Sequence, residues 1–151
     1  MIDEFTELLD TAIYKEIASQ AFYEVGQKTT QDSGAATLMQ ELAGEELKHS
    51  QWLKNLKDKG PGSLTRVRKE VPNLMISEYL TGGDNLEGAG LQDTLTFAVK
   101  REQQSVEFYS RMMGAFSDRA AKRLCQRLVH EELKHKLKLE SFYDDLFNQE
   151  N

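Results

Sequence analysis

The chain has 151 residues, a length that fits one domain spanning 1–151. Its 25 acidic and 19 basic residues argue against nucleic acid as a partner, because phosphate contacts need basic side chains. One cysteine, Cys125, excludes an intrachain disulfide and any Cys-x-x-Cys metal site, which suits a reducing cytoplasm. We see neither a secretory start nor an apolar run of roughly 20 residues, so we expect a cytoplasmic protein with no membrane partner.

The first half of the chain predicts two helices joined by a short turn. Glu, Lys, Leu, Gln and Ala are abundant and there are only two prolines, which favours helices over strands. Apolar residues at three- and four-residue spacing predict a helix over about 3–29. After a polar turn, Asp32 or Ser33 can cap a second helix over about 34–59, which a Gly-Pro-Gly sequence ends.

The second half repeats that arrangement after a long connection. Residues 60–90 carry a weaker pattern, in which the stretch 74–80 could form a short helix or a packed strap. A third helix is predicted over about 91–114 and a fourth over about 119–147, whose apolar stripe extends to Leu146. Short turns make each pair an antiparallel hairpin. The expected fold is therefore all-α, a ferritin-like four-helix bundle of two hairpins joined by a long crossover connection.

The two predicted hairpins are copies of one unit. Three pairs of matching segments are separated by the same number of residues. They are Glu16 and Glu102, Phe22-Tyr23 and Phe108-Tyr109, and the Glu-Glu-Leu-Lys-His sequences at 45–49 and 131–135. A duplicated hairpin packed on itself has an approximate two-fold axis. We therefore expect the repeated polar residues to meet at one level of the bundle.

The repeated glutamates lie on the core-facing stripes. Glutamate is rarely buried unless it is paired with a positive charge or binds a metal, and we find no Lys or Arg on the stripe at the same level. A Glu-x-x-His sequence puts a carboxylate and an imidazole on one helix face, where they can bind the same or adjacent ions. We predict a dinuclear centre of two iron ions, with manganese as the alternative, held by six ligands: Glu16, Glu46, His49, Glu102, Glu132 and His135.

On these residues the chain resembles the ferritin-like superfamily and, within it, the rubrerythrin family, over nearly its whole length. The stretches 16–23 and 102–109 look like the family's first and third helices, and 42–49 looks like its second. The resemblance implies a non-haem di-iron oxidoreductase that reacts with hydrogen peroxide or O₂ in oxidative-stress defence. It also implies a homodimer and an external electron donor, such as a separate rubredoxin-type protein.

Two departures from the family pattern leave other functions open. Ser105 stands where rubrerythrins carry a further carboxylate, and with Cys125 as the one cysteine of these 151 residues we expect no rubredoxin module among them. The remaining symmetric set is similar to the ferroxidase centre of bacterioferritins. The alternative is therefore a ferroxidase, or an iron-binding protein without peroxidase turnover, and a di-iron or di-manganese oxygenase is a further alternative.

Tyr23 and Tyr109 are the candidates for a catalytic role beside the metal ligands. Each lies two helical turns after Glu16 or Glu102. Their hydroxyl groups could donate a hydrogen bond to a ligand carboxylate of a neighbouring helix, or could act in electron transfer. The alternative is a tyrosine that only fills the core.

Overall fold

The computed structural model describes residues 3–64, 70–78, 80 and 90–147. These ranges contain helices and no strand: α1 (Glu4–Thr29), α2 (Ser33–Lys59), α3 (Leu91–Ala115), α4 (Arg119–Phe147), and two short 3-10 helices at Pro61–Ser63 and Ile76–Glu78. The all-α prediction is confirmed, and every predicted helix end lies within one residue of the observed one. Residues 65–69, 79 and 81–89 of the predicted connection lie outside the described residues.

Local side-chain chemistry explains where the helices begin and end. Three aspartates cap helix N-termini by accepting a hydrogen bond from the backbone N–H three residues later, at 2.7, 2.7 and 2.9 Å: Asp3, Asp32 and Asp118. Asp32 rather than Ser33 is therefore the cap of α2. At the other end of α2, Gly60 has a φ of 81°, a conformation that glycine adopts without steric penalty.

The described chain divides into two compact units. The first contains residues 1–65 and 116–124, and the second contains residues 66–115 and 125–151. Helix α4 (Arg119–Phe147) begins in the first unit and continues in the second. The prediction of a single domain over 1–151 stays a prediction.

In the first unit, α1 and α2 form an antiparallel hairpin. Near one end Asp10 forms an ion pair with Lys57 at 2.6 Å, and near the other end a methyl group on Gly26 would lie 3.3 Å from the sulfur of Met39. Residue numbers thus rise along α1 as they fall along α2. The missing side chain at Gly26 lets the two helices approach closely at the turn.

In the second unit, α3 packs against α4 in the same antiparallel sense. Gln92, at the start of α3, donates a hydrogen bond at 2.8 Å to the hydroxyl of Tyr143, near the end of α4. At the middle of both helices, Glu102 lies beside His135. Both predicted hairpins are therefore present.

The repeat extends to the residues that fill the core. Equivalent buried positions carry the same residue in both copies: Leu9 and Leu95, Ala12 and Ala98, Ala35 and Ala121, Leu38 and Leu124, Leu42 and Leu128, Leu53 and Leu139. The prediction that the apolar stripe of α4 continues to Leu146 was wrong, because that side chain is 45% exposed. The last buried residue of α4 is Tyr143.

A buried ion pair on α4 holds the described part of the connection in the second unit. Lys136 and Glu140 are fully buried, and their charged groups are 3.3 Å apart. The Lys136 ammonium also donates to the side-chain oxygen of Asn73, and Glu140 accepts from the backbone N–H of Ile76 at 2.7 Å. The buried lysine on α4 is therefore paired with Glu140 and Asn73.

No helix within the described ranges combines the length and the apolar character that a membrane span requires.

Candidate metal centre

The first unit brings together the three ligands predicted from its sequence. Glu16 lies on α1, and Glu46 and His49 lie one turn apart on α2. Both carboxylates are buried, and Oε2 of Glu16 is 3.8 Å from Nδ1 of His49. Glu46 and His49 also offer ligand atoms within 4.8 Å of each other. We call these three residues the first Glu/His set.

The second unit contains the equivalent arrangement. Glu102 lies on α3, and Glu132 and His135 lie one turn apart on α4. Oε1 of Glu102 is 3.9 Å from Nδ1 of His135, and the three residues each offer a ligand atom within 4.8 Å of the others. This second Glu/His set is a buried cluster that could hold a metal ion.

The spacing within each set fits a shared cation better than a hydrogen bond. Separations of 3.8 and 3.9 Å exceed the 2.7–3.2 Å of ordinary N–H···O contacts. Two donors that each lie about 2.1 Å from one transition-metal ion can be as much as about 4.2 Å apart. The oxygen and imidazole donors are also types that iron accepts.

Glu16 supplies a second observation that favours a cation. Its side chain is 1% exposed, yet neither of its oxygens accepts a hydrogen bond from any residue that the structure describes. A buried carboxylate in this state loses its hydration without replacement, which is strongly unfavourable. A metal ion would remove that penalty, so the residues present fit a metal centre.

The two sets differ in their access to solvent. The side chain of His49 is 18% exposed, whereas that of His135 is 2% exposed. The repeat does not predict this difference, because both histidines stand in the same Glu-Glu-Leu-Lys-His sequence. A small molecule from solvent can therefore reach the imidazole of His49 more readily than that of His135.

The two tyrosines singled out in the sequence are completely buried. Tyr23 packs edge-on against Phe22, with ring centroids 5.2 Å apart and an angle of 72° between the rings. Tyr109 and Phe108 reproduce this pair at 5.3 Å and 75°. Such pairs fix ring orientation, so each tyrosine is held in the interior of its unit. A catalytic role for either hydroxyl stays a prediction.

Cys125 takes no part in the proposed ligand set. The thiol is buried, and its burial raises its pKa from 9.0 to about 12. The thiolate, which is the form that binds metals and attacks electrophiles, is therefore disfavoured.

A sequence model of the rubrerythrin family matches residues 7–143, which include every predicted ligand. The chain belongs to the rubrerythrin family. Its fold is accordingly the ferritin-like four-helix bundle that the sequence predicted. Members of the rubrerythrin family bind di-iron centres, and in this member the Glu/His residues described above are able to hold metal.

A solved structure supports the same fold. This rubrerythrin-family chain is similar to a hypothetical protein from Pyrococcus furiosus, with a TM-score of 0.63 and 27% sequence identity. The similarity covers 97% of this chain and 92% of that chain. No curated protein matches the sequence.

Proposed function

We propose that this rubrerythrin-family protein is a non-haem di-iron oxidoreductase that reduces hydrogen peroxide. The observation that carries the proposal is the duplicated ligand arrangement, in which each unit has one single glutamate within 3.8 or 3.9 Å of the histidine of a Glu-x-x-His sequence. We propose that the six glutamate and histidine residues of the two sets hold two iron ions. Four glutamates then balance the charge of two divalent cations, and each histidine adds a neutral nitrogen donor.

The reaction needs two electrons, and the duplicated set provides for two metal ions. Two bound iron(II) ions would each supply one electron, so that hydrogen peroxide, two electrons and two protons yield two molecules of water. An external electron donor must then return two electrons to the centre. The protein's own part is to bind the ions, offset their charge and exclude bulk water from the second set.

The unequal exposure of the histidines suggests where the oxidant enters. His49, at 18% exposed, borders solvent, and His135, at 2%, does not. Hydrogen peroxide is about as small as two water molecules, so partial exposure of one imidazole provides enough access. We propose that hydrogen peroxide approaches from the side of His49. The second Glu/His set, with its buried His135, stays shielded from solvent.

The tyrosines are proposed to assist from the interior. Helical side chains lean toward the N-terminus of their helix, so Tyr23 and Tyr109 lean toward the levels of Glu16 and Glu102. A buried hydroxyl there can donate a hydrogen bond to a carboxylate or pass an electron. Either role would change the rate of oxidation without changing how much metal binds.

A ferroxidase is the second candidate, and Ser105 is the observation that favours it. This residue lies one turn after Glu102 on α3 and is partly buried, so it supplies a hydroxyl where rubrerythrins supply a further carboxylate. The remaining ligands are then symmetric between the two units. A symmetric set of four glutamates and two histidines is similar to ferroxidase centres, which oxidise iron(II) as their substrate.

Anaerobic loading of the metal-free protein with iron(II) tests both candidates. Loaded protein is mixed rapidly with hydrogen peroxide and, separately, with O₂, while near-ultraviolet absorption reports iron oxidation. We expect two irons per chain, faster oxidation by peroxide than by O₂, and repeated turnover when an artificial reductant is added.

Other outcomes have distinct meanings. Fast oxidation by O₂ followed by release or accumulation of iron would support the ferroxidase. Iron that is oxidised once and does not cycle would indicate a binding protein. Binding of fewer than two metal ions per chain would contradict the di-iron proposal itself.

A further inference from the structure

A buried lysine on α4 lies between two buried glutamates. Glu132 precedes Lys136 by one helical turn and Glu140 follows it by one turn, about 6 Å along the helix in each direction. Residues four apart lie on one face of a helix, so the ammonium has both carboxylates within reach. Glu132 belongs to the second Glu/His set, whereas Glu140 does not. Lys136 therefore has a choice between a proposed metal ligand and a carboxylate outside the centre.

The pairing of Lys136 with Glu140 holds a turn of the connection on α4. Asn73 accepts a hydrogen bond from Lys136 through the same side-chain oxygen that accepts from the backbone N–H of Met75 at 3.0 Å. The backbone N–H of Ile76 donates to Glu140 at 2.7 Å. We call residues 73–76 the strap turn. Both of its ends are fixed on α4 by the two members of one ion pair.

The conformation of the strap turn depends on these contacts. Met75 has a φ of 57°, a left-handed conformation that is unfavourable for a residue with a side chain. Leu74 and Met75 are 43% and 47% exposed, so burial of their side chains holds the turn only weakly. Strained conformations persist where the surrounding contacts impose them, and they are common at switching sites. The turn is therefore ready to leave α4 if Lys136 changes its partner.

The ion pair itself is incompletely satisfied. Oε2 of Glu140 accepts from Ile76 and lies 3.3 Å from the ammonium of Lys136. Oε1 of Glu140 accepts no hydrogen bond from any residue that the structure describes. A buried carboxylate oxygen in this state is unfavourable. The incomplete pairing reduces the preference of Lys136 for Glu140 over Glu132.

We propose that Lys136 is a positioning residue that couples metal binding at the second Glu/His set to docking of the strap turn. A cation bound at Glu132 offsets the charge of that carboxylate and repels the ammonium, so Lys136 pairs with Glu140 and the turn docks. Without the cation, Glu132 attracts the ammonium, which leaves Asn73 and Glu140 and releases the turn. In that state Lys136 leans toward the N-terminus of α4, as helical side chains prefer.

Coupling of this kind is reciprocal, so loss of a docked partner of Lys136 weakens metal binding. The first copy of the repeat has no equivalent pair, because Ser50 and Lys54 occupy the corresponding positions. The coupling therefore concerns the second Glu/His set alone. The inference rests on the proposed metal centre and not on its reaction with peroxide.

Hydrogen exchange tests the effect of metal on the strap turn. The full chain is loaded with manganese(II), which requires no oxidation step, and its amide exchange is compared with that of the metal-free protein by mass spectrometry. We expect manganese to slow exchange of the Met75 and Ile76 amides about tenfold, because both donate hydrogen bonds in the docked turn. The amide of Leu64, which donates to Pro61 in the first unit, is the internal control and should exchange equally in both samples.

Manganese affinity, measured by competition with a chelator, tests the effect of the strap turn on metal. Asn73→Ala removes a docked partner of Lys136 and should weaken binding at one of the two metal sites about tenfold. Lys136→Met combined with Glu140→Leu replaces the ion pair by apolar side chains, which a folded protein tolerates. This double variant also undocks the turn, yet it should bind manganese at least as tightly as wild type, because no ammonium competes for Glu132. Leu74→Ala changes the exposed neighbour of Asn73 and should keep the wild-type affinity.

The outcomes separate this inference from simple stiffening of α4 by the strap turn. Weaker binding in Asn73→Ala but not in the double variant supports a lysine that changes partner. Weaker binding in both, with helical circular dichroism unchanged, would overturn it. Equal exchange of the Ile76 amide with and without manganese would also overturn it, and two bound metal ions would then leave the proposed function intact. A chain that binds neither manganese nor iron would overturn this inference and the proposed function together.

Discussion

The two histidines of the proposed centre differ in their contact with solvent. The side chain of His49 is 18% exposed and that of His135 is 2% exposed, although each lies within 3.9 Å of a buried glutamate. Exposure depends on what packs over each histidine, which the identical Glu-Glu-Leu-Lys-His sequences do not specify. The spacing of Glu16, Glu46 and His49, in contrast, was enough to predict that these residues are neighbours.

The hydroxyl of Tyr23 can be tested by removing one atom. Tyr23→Phe should bind two irons but oxidise them about tenfold more slowly, because a group that orients a ligand carboxylate is lost while the buried ring remains. Stopped-flow absorbance after mixing with peroxide measures the rate, and metal analysis gives the stoichiometry.

The matched control for this substitution lies on the same helix. Tyr14→Phe removes an exposed hydroxyl from α1 and should leave the oxidation rate unchanged. Equal rates in the two variants and in wild type would reduce Tyr23 to a packing residue.

At the level of secondary structure, caps and glycines made the helix ends predictable. Asp32 and Asp118 begin their helices, and Gly60 ends α2, through contacts with residues at most four positions away. The connection was less predictable because its contacts are distant in sequence. Ile76 is held by Glu140, and no local pattern reveals that pair.

The two glycines near the middle and the end of α2 should respond oppositely to alanine. Gly44 is exposed within the helix, and a methyl group there would meet no atom within 4 Å. Gly44→Ala should therefore raise the free energy of unfolding by about 0.5–1 kcal/mol. Gly60→Ala should lower it by about 1 kcal/mol, because φ is positive there. Urea denaturation of the metal-free protein measures both, and a destabilised Gly44→Ala would contradict the helix-propensity argument.

The buried pair of Lys136 and Glu140 on α4 should contribute more to the free energy of unfolding than an exposed ion pair does. Glu140→Ala leaves the Lys136 ammonium buried without its carboxylate, and we expect the free energy of unfolding to fall by about 3–5 kcal/mol. Lys57→Ala breaks the exposed pair with Asp10 and should cost less than about 1 kcal/mol. Similar losses in the two variants would mean that burial does not govern the strength of the Lys136 pair.

For the molecule as a whole, most of the predictions made from the sequence depended on the internal repeat. It gave both hairpins, both Glu/His sets and the family resemblance that the comparison with rubrerythrins confirmed. It could not show that α4 is divided between two compact units, since that division arises from three-dimensional contacts.

The proposed centre makes a prediction about the whole molecule. Replacing Glu46 and Glu132 by Ala together should abolish binding of two metals while the helical content remains. The metal-free double variant should unfold at equal or higher denaturant concentration, because two buried carboxylates have been removed. Circular dichroism and metal analysis measure the two effects. The control replaces two exposed glutamates, Glu41 and Glu107, which should keep both metals.

The anchoring of the connection bears on how a duplicated chain diverges. In the repeat, Lys136 and Glu140 correspond to Ser50 and Lys54, and the Ser50 hydroxyl merely donates to a carbonyl of its own helix. The described part of the connection is therefore anchored by two buried charged residues that have no counterpart in the first copy of the repeat. The two copies keep their symmetry at the Glu/His sets and the core leucines, and they lose it where a single linker packs.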